Sequence, residues 1–186
     1  MLLWMLWLAC SEPVSPEEAV RADLGIDPSA PFGCGSWDGP GGVVLSCTGV
    51  NIPGSVVVWV DGEVQPLLSS KPAMAPSVQF GDVTGDGVDE LWITIGGGGM
   101  AYHAWSTHLV DVSGDTPRSL GAIELVRHPL EGGTPSQAWL LRPPSLCARP
   151  ARPPGADLAR PTQPVDGPGV LWRVGPDGTL EPGGPC

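Results

Sequence analysis

Positive charge is scarce in this chain of 186 residues. Nine Lys and Arg residues stand against twenty Asp and Glu residues, which gives a formal net charge of −11. Proteins that bind nucleic acid neutralise its phosphates with clustered Lys and Arg side chains. The composition therefore argues against a nucleic-acid partner. Acidic surfaces keep proteins soluble, and the excess of carboxylates also fits a divalent cation as ligand.

Catalytic motifs are also missing. The sequence contains no G-x-S-x-G, no H-E-x-x-H and no phosphate-binding glycine loop. It has no C-x-x-C pair either, so zinc and dithiol redox sites are not expected. His103 and His108 are five positions apart in a predicted strand, which places them on opposite faces and argues against a shared metal. We expect a protein without enzymatic activity.

The apolar run at the start of the chain is too short to cross a bilayer. Leu2–Ala9 has no polar residue, but a spanning helix needs about 20 residues. Such a run is typical of the end of a secretory signal. Its last residues, Leu8-Ala9-Cys10, resemble the cleavage box of bacterial lipoproteins. The resemblance implies export to the bacterial cell envelope (periplasm or outer membrane), lipidation of Cys10 and a membrane contact through that lipid anchor.

Four cysteines remain besides Cys10, and an even number in an exported chain suggests disulfides. Three pairings are open. In the pairing that we favour, Cys34–Cys47 closes a hairpin, and Cys147–Cys186 fastens the C-terminal tail to the body of the protein.

Three regions can be distinguished along the chain: a signal or lipobox-like segment over 1–10, a tether over 11–31, and a single β domain over 32–186. The tether contains a helix start in which Ser15 caps, Pro16 occupies the first turn and Glu18 completes a capping box; Gly25 can end that helix.

The residues after position 31 predict β-hairpins. Apolar runs alternate with acid-glycine turns such as Asp61-Gly62 and Asp177-Gly178. "ELWITI" is a continuous apolar run, which predicts a strand buried on both faces. Residues 142–169 are dense in Pro, and we expect them to form an extended surface loop.

A stretch of oxygen-bearing residues, "DVTGDGVDEL", precedes that buried strand. With Asp82 as position one, side-chain oxygens fall at Asp82, Thr84, Asp86 and Glu90, and Val88 can offer its carbonyl. Gly87 suits the sharp turn at position six. Calcium takes six to eight hard oxygen ligands at about 2.3–2.6 Å. The spacing predicts a Ca²⁺ loop with these five residues as ligands.

The context of the loop decides between two kinds of calcium site. An EF-hand needs Glu at position twelve and flanking helices, but position twelve is Ile93 in a predicted strand. Phe80-Gly81-Asp82, Asp86-Gly87 and the apolar strand after Glu90 instead resemble the FG-GAP/VCBS repeat of integrin-type β-propellers. Two positions differ from that repeat: Thr84 stands where it usually has Asn or Asp, and Glu90 stands where it has Asp.

The predicted elements give a mainly β fold: a small antiparallel β domain built from hairpins, with a short N-terminal helix and a Pro-rich C-terminal loop. The resemblance relates this domain to a propeller blade. It also implies a structural calcium ion and a role in adhesion or interaction with a protein partner at the cell envelope. Two alternatives remain open. One is an exported glycan-binding protein or hydrolase accessory that uses exposed Trp residues, and the other is an envelope protein with calcium as its only ligand. Buried Trp side chains would favour the adhesion or interaction role over the glycan-binding alternative.

Overall fold

The protein is mainly β, as the sequence predicts. A computed structural model describes residues 14–49, 52, 55–70, 76–98, 102–129, 135–153 and 160–186. The lipobox-like segment 1–10 with Cys10, the first residues of the tether (11–13) and residues 154–159 of the Pro-rich stretch lie outside the described residues. The described elements are α1 (Pro16–Asp23), β1 (Phe32–Gly39), β2 (Gly42–Gly49), β3 (Ser55–Val60), β4 (Val64–Ser70), β5 (Ser77–Gly81), β6 (Glu90–Gly98), β7 (Tyr102–Asp111), β8 (Arg118–Pro129), β9 (Ala138–Arg142), β10 (Ser145–Ala151), β11 (Val170–Val174) and β12 (Leu180–Pro185).

The strands form three open antiparallel sheets of four strands each. The first sheet has the order β1-β2-β3-β4, the middle sheet β5-β6-β7-β8 and the third β9-β10-β11-β12. Each sheet is therefore a meander in which neighbours in sequence are neighbours in space, the local arrangement of a propeller blade.

The middle sheet is covered on both faces. Leu91 and Ile93 of β6 pack into one core cluster with Val44, Val57 and Trp59 of the first sheet. Trp92, between them in sequence, packs into a second cluster that includes Leu141 and Ala148 of the third sheet. Because successive side chains of a strand point to opposite faces, a strand between two layers must be apolar throughout. This explains the unbroken run "ELWITI".

Helix α1 covers the outer face of the first sheet, where Val20 is buried against Leu45, Cys47, Val58 and Val60. The predicted capping box is present: the Ser15 hydroxyl accepts from the Glu18 amide at 3.2 Å, and the Ser15 amide donates to the Glu18 carboxylate at 3.0 Å. Gly25 follows the C-cap with φ of +63°, as a helix-ending glycine should.

The predicted hairpins at Asp61-Gly62 and Asp177-Gly178 are confirmed, because β3 pairs with β4 and β11 with β12 in antiparallel fashion. In contrast, the prediction of extended coil throughout 142–169 is wrong in part, because Ser145–Ala151 form strand β10. The carbonyl of Pro150 accepts a hydrogen bond from Val165 at 3.0 Å. The N and O of one strand residue point to the same side. The ring nitrogen of Pro150 therefore faces away from β9, and its missing N–H does not interrupt the β9–β10 ladder.

Both favoured disulfides are present. Cys34 and Cys47 are register partners in β1 and β2, and their Cα atoms are 4.1 Å apart. Cys147 of β10 is bonded to Cys186 at the end of the chain. Two disulfides indicate an oxidising compartment of the extracellular type. Within the described ranges, no helix is long and apolar enough to span a membrane.

Candidate metal site

The predicted calcium loop joins β5 to β6, the first two strands of the middle sheet. Gly85 and Gly87 have φ of +80° and +88°, in the left-handed region that favours glycine. The sequence pointed to Gly87 alone, because the ligand numbering places the sharp turn there. A second left-handed glycine two residues earlier makes the loop tight enough to fold back on itself.

Three carboxylates converge in this loop. Oxygen atoms of Asp82, Asp86 and Glu90 all lie within 4.8 Å of one another. Asp86 is exposed, Asp82 is half-buried, and Glu90 is only 1% exposed. The group therefore begins at the surface and ends at the top of the core. Two unit charges 4 Å apart repel by about 1 kcal/mol in water and about 4 kcal/mol at an effective dielectric constant of 20. A bound cation would relieve this repulsion.

Hydrogen bonds hold each carboxylate in place. Asp82 accepts from the amides of Gly85 at 2.6 Å and Gly87 at 3.0 Å. Glu90 accepts from the amide of Val83 at 2.6 Å and from the hydroxyl of Thr84 at 2.7 Å. A carboxylate has about four lone-pair sites. None of the three accepts more than two hydrogen bonds from the described residues, so each retains lone pairs for a further ligand.

The remaining predicted ligands are placed less directly. The Thr84 hydroxyl contacts Glu90, so its oxygen belongs to the same group, but its proton is used in that hydrogen bond. The amide of Val88 donates to Asp86 Oδ1 at 2.8 Å; the role of its carbonyl as a ligand stays a prediction. Asp89 is exposed and does not belong to the group of three. The sequence pattern does not indicate the hydrogen bond from the Val83 amide to Glu90, because a backbone donor is independent of side-chain type.

The spacing of the carboxylates is compatible with one Ca²⁺ ion. Oxygens on opposite sides of a calcium ion lie about 4.6–5.2 Å apart, twice the usual Ca–O distance. The three carboxylate oxygens are within this limit. Hard carboxylate and hydroxyl oxygens are also the ligand type that calcium prefers. Asp82, Asp86 and Glu90, with Thr84, would hold the ion.

Tight packing fixes the base of the loop. The indole nitrogen of Trp92 donates a buried hydrogen bond of 3.1 Å to the carbonyl of Gly81, the residue before Asp82. A Cβ at Gly81 would lie 2.9 Å from Cβ of Pro143 and 3.1 Å from Cα of Pro144. The loop is thus attached to the middle sheet and packed against the third.

Trp side chains do not form an exposed platform in the part of the chain that the structure describes. Trp59 and Trp92 are buried, at 2% and 1% exposure. The other four are partly buried, and all pack against core clusters (Trp37, Trp105, Trp139 and Trp172). Because exposed Trp side chains are what a glycan-binding surface needs, their burial favours the interpretation in which they stabilise the core.

Comparison with known proteins adds no relative: no protein-family model matches the chain, and neither curated proteins nor solved structures give a match.

Proposed function

We propose that this protein is a non-enzymatic, exported calcium-binding protein of the bacterial cell envelope, in which the ion at Asp82, Asp86 and Glu90 stabilises the domain. The convergence of the three carboxylate oxygens within 4.8 Å carries the proposal. The metal is structural in this proposal because Glu90 is buried and is the first residue of β6, the strand covered on both faces.

Calcium binding in such a loop is coupled to folding. In the unfolded chain, the three carboxylates separate and no longer form a site. A ligand that binds the folded state alone stabilises it by RT ln(1 + [L]/Kd), about 2.7 kcal/mol at a concentration of 100 Kd. The role that follows is a rigid domain for adhesion or for interaction with a protein partner at the cell envelope, consistent with the FG-GAP/VCBS resemblance.

The test is thermal unfolding of the purified protein in 1 mM Ca²⁺, in 1 mM Mg²⁺ and in excess EGTA, with calorimetric titration of Ca²⁺. We expect a higher Tm in Ca²⁺ than in EGTA, and a smaller shift in Mg²⁺, which demands shorter ligand distances of about 2.1 Å. Asp86→Asn should reduce the calcium-dependent shift because Asp86 is exposed and contributes mainly to the ion.

Asp89→Asn is the matched control. It removes the same charge from the same loop, but Asp89 lies outside the group of three. Its calcium-dependent shift should equal that of the wild type. An equal Tm in Ca²⁺ and EGTA, together with no heat of binding, would show that the loop is an acidic turn without a metal.

The membrane anchor is tested separately. We propose that Cys10 becomes the first residue of the mature protein and carries the lipid. Mass spectrometry of the protein from bacterial membranes should find the N-terminus at Cys10 with the added mass of acyl chains. Cys10→Ala should release the protein from the membrane fraction. An N-terminal peptide that begins with unmodified Met1 would rule out lipidation.

A further inference from the structure

Two of the three histidines in the chain lie side by side on neighbouring strands of the middle sheet. His103 of β7 and His128 of β8 are direct register partners. Side chains of directly opposed residues in an antiparallel pair lie on the same face, with Cβ atoms about 4.5–5.5 Å apart. The next pair on that face is Trp105 and Val126, and Val126 is buried with Ala138 and Ala151 of the third sheet. The histidine pair therefore lies on the face that is covered by the third sheet.

Each ring presents a buried nitrogen atom that makes no hydrogen bond to a described residue. These atoms are Nδ1 of His103 and Nε2 of His128. His128 as a whole is only 2% exposed. A buried polar atom without a partner costs about 1–3 kcal/mol, and native structures contain few of them, often where a water molecule or an ion belongs. Here two such atoms occur on partner residues.

We propose that His103 and His128 form a second cation site, specific for a first-row transition metal such as Cu²⁺ or Zn²⁺. Neutral imidazole nitrogen is a preferred ligand for these ions, and Cu²⁺ binds most tightly of the divalent series. Ca²⁺ takes oxygen ligands and is not expected here. The site is chemically distinct from the acidic loop and does not depend on calcium binding there.

The pair supplies two ligands from rigid strands. Among the described residues, no group of three metal-ligating side chains includes either histidine. The other coordination positions would therefore be taken by water or by an exogenous ligand. His108 is excluded from the site because it lies five residues from His103 on the same strand and faces the first sheet with its register partner Ile93.

The experiment titrates Zn²⁺ into the full chain by calorimetry and Cu²⁺ with detection by electron paramagnetic resonance. Saturating Ca²⁺ is present so that the acidic loop is occupied. We expect one equivalent of either metal, a Cu²⁺ spectrum with hyperfine splitting from two nitrogen ligands, and a higher Tm with Zn²⁺. His103→Ala and His128→Phe should each lose the bound equivalent.

Two variants serve as controls. His108→Ala removes the remaining histidine and should bind Zn²⁺ as the wild type does. Asp86→Asn should also retain Zn²⁺ binding, because the acidic loop is not part of the histidine site. The Zn²⁺ result is therefore independent of whether the loop binds calcium. His128→Phe fills the space of the ring without a nitrogen atom. If that variant does not fold, His103→Ala decides, because His103 is partly exposed and its loss leaves a smaller cavity.

The proposal is overturned if the wild type binds less than one equivalent of both metals. It is equally overturned if His103→Ala binds Zn²⁺ with wild-type affinity, or if the nitrogen splitting of Cu²⁺ persists in a variant that combines His103→Ala and His128→Phe.

Discussion

The indole of Trp92 is hydrogen-bonded to the carbonyl of Gly81 at 3.1 Å, directly beneath the acidic loop. Gly81 ends β5, and Trp92 is the third residue of β6, so this bond closes the base of the loop from inside the core. Trp92 thus fixes the residue that precedes Asp82, although its hydrogen bond is to the backbone and to none of the three carboxylates.

We predict that Trp92→Phe destabilises the protein by more than its change in volume explains. Phe cannot donate a hydrogen bond, and an unpaired buried carbonyl costs about 1–3 kcal/mol. Trp59→Phe is the control, because Trp59 is equally buried and its indole donates no hydrogen bond to a described residue. Urea unfolding of both variants measures the difference. Equal losses of unfolding free energy would contradict the prediction.

Gly41 and Gly42, adjacent glycines at the β1–β2 turn, should respond differently to substitution. Gly41 has φ of +77° and open space around it, and a Cβ at Gly42 would lie 2.7 Å from the Val60 carbonyl and 2.5 Å from the Trp59 ring. Asn tolerates the left-handed region, so Gly41→Asn should change stability by less than about 0.5 kcal/mol. Gly42→Ala should cost about 1–3 kcal/mol through overpacking.

Chemical denaturation gives the free energy of unfolding of each variant. Comparing the two distinguishes the effect of a left-handed backbone at Gly41 from that of steric overlap at Gly42. The interpretation fails if Gly42→Ala is as stable as the wild type, because the contacts with Val60 and Trp59 would then relax without cost.

The disulfides should contribute unequally to stability. The chain-entropy model gives about 3 kcal/mol for a loop of 13 residues and about 4 kcal/mol for one of 39 residues. Replacing Cys147 and Cys186 by Ser should therefore lower the free energy of unfolding by roughly 4 kcal/mol and release β12, the edge strand of the third sheet, to proteolysis.

Limited proteolysis followed by mass spectrometry locates the released strand. The corresponding replacement of Cys34 and Cys47 should leave β12 protected. First cleavage elsewhere in the Cys147 and Cys186 variant would show that β11 alone retains β12.

Acid should weaken the turn between β7 and β8. Burial raises the pKa of Asp111, but hydrogen bonds from Ser113 and the guanidinium of Arg118 outweigh it and hold that pKa below its ordinary value of 3.8. A carboxylate with a lowered folded-state pKa stabilises the protein above the unfolded value and loses this effect as the pH falls through the folded value. Asp111→Asn should thus destabilise by about 0.5–1 kcal/mol at pH 6 and by less near pH 2.5.

Urea unfolding of the wild type and Asp111→Asn at the two pH values checks the sign. A loss that is equal at pH 6 and pH 2.5 would contradict the role assigned to the ionised carboxylate.

Local features of this fold could be predicted from the sequence. The helix cap at Ser15, the acid-glycine turns and the apolar run of β6 follow from short-range rules, because the residues that determine them are neighbours in the chain. The convergence of Asp82, Asp86 and Glu90 has the same origin, since a nine-residue loop determines it.

Long-range features escaped the sequence. The pairing of His103 with His128 depends on the β7–β8 register, which includes two irregularities that no spacing rule gives. Strand β10 escaped prediction because it lies in a stretch dense in proline, and Pro150 is one of its own residues. Pro150 is tolerated there since its nitrogen faces Val165, a partner fifteen residues away, instead of β9. Nor did the hairpins indicate how they group into three sheets, because that depends on which faces pack together.

The burial of β6 on both faces has a consequence for how the molecule opens. The amides of β6 are hydrogen-bonded to β5 and β7 between the two covering layers, so their protons exchange with solvent deuterium only when this pairing opens, whereas those of edge strands can exchange through local fraying. Glu90 is the first residue of this strand and is buried at 1% exposure. A ligand that holds Glu90 would therefore slow the opening of β6, and the exchange of β6 amides would report its occupancy.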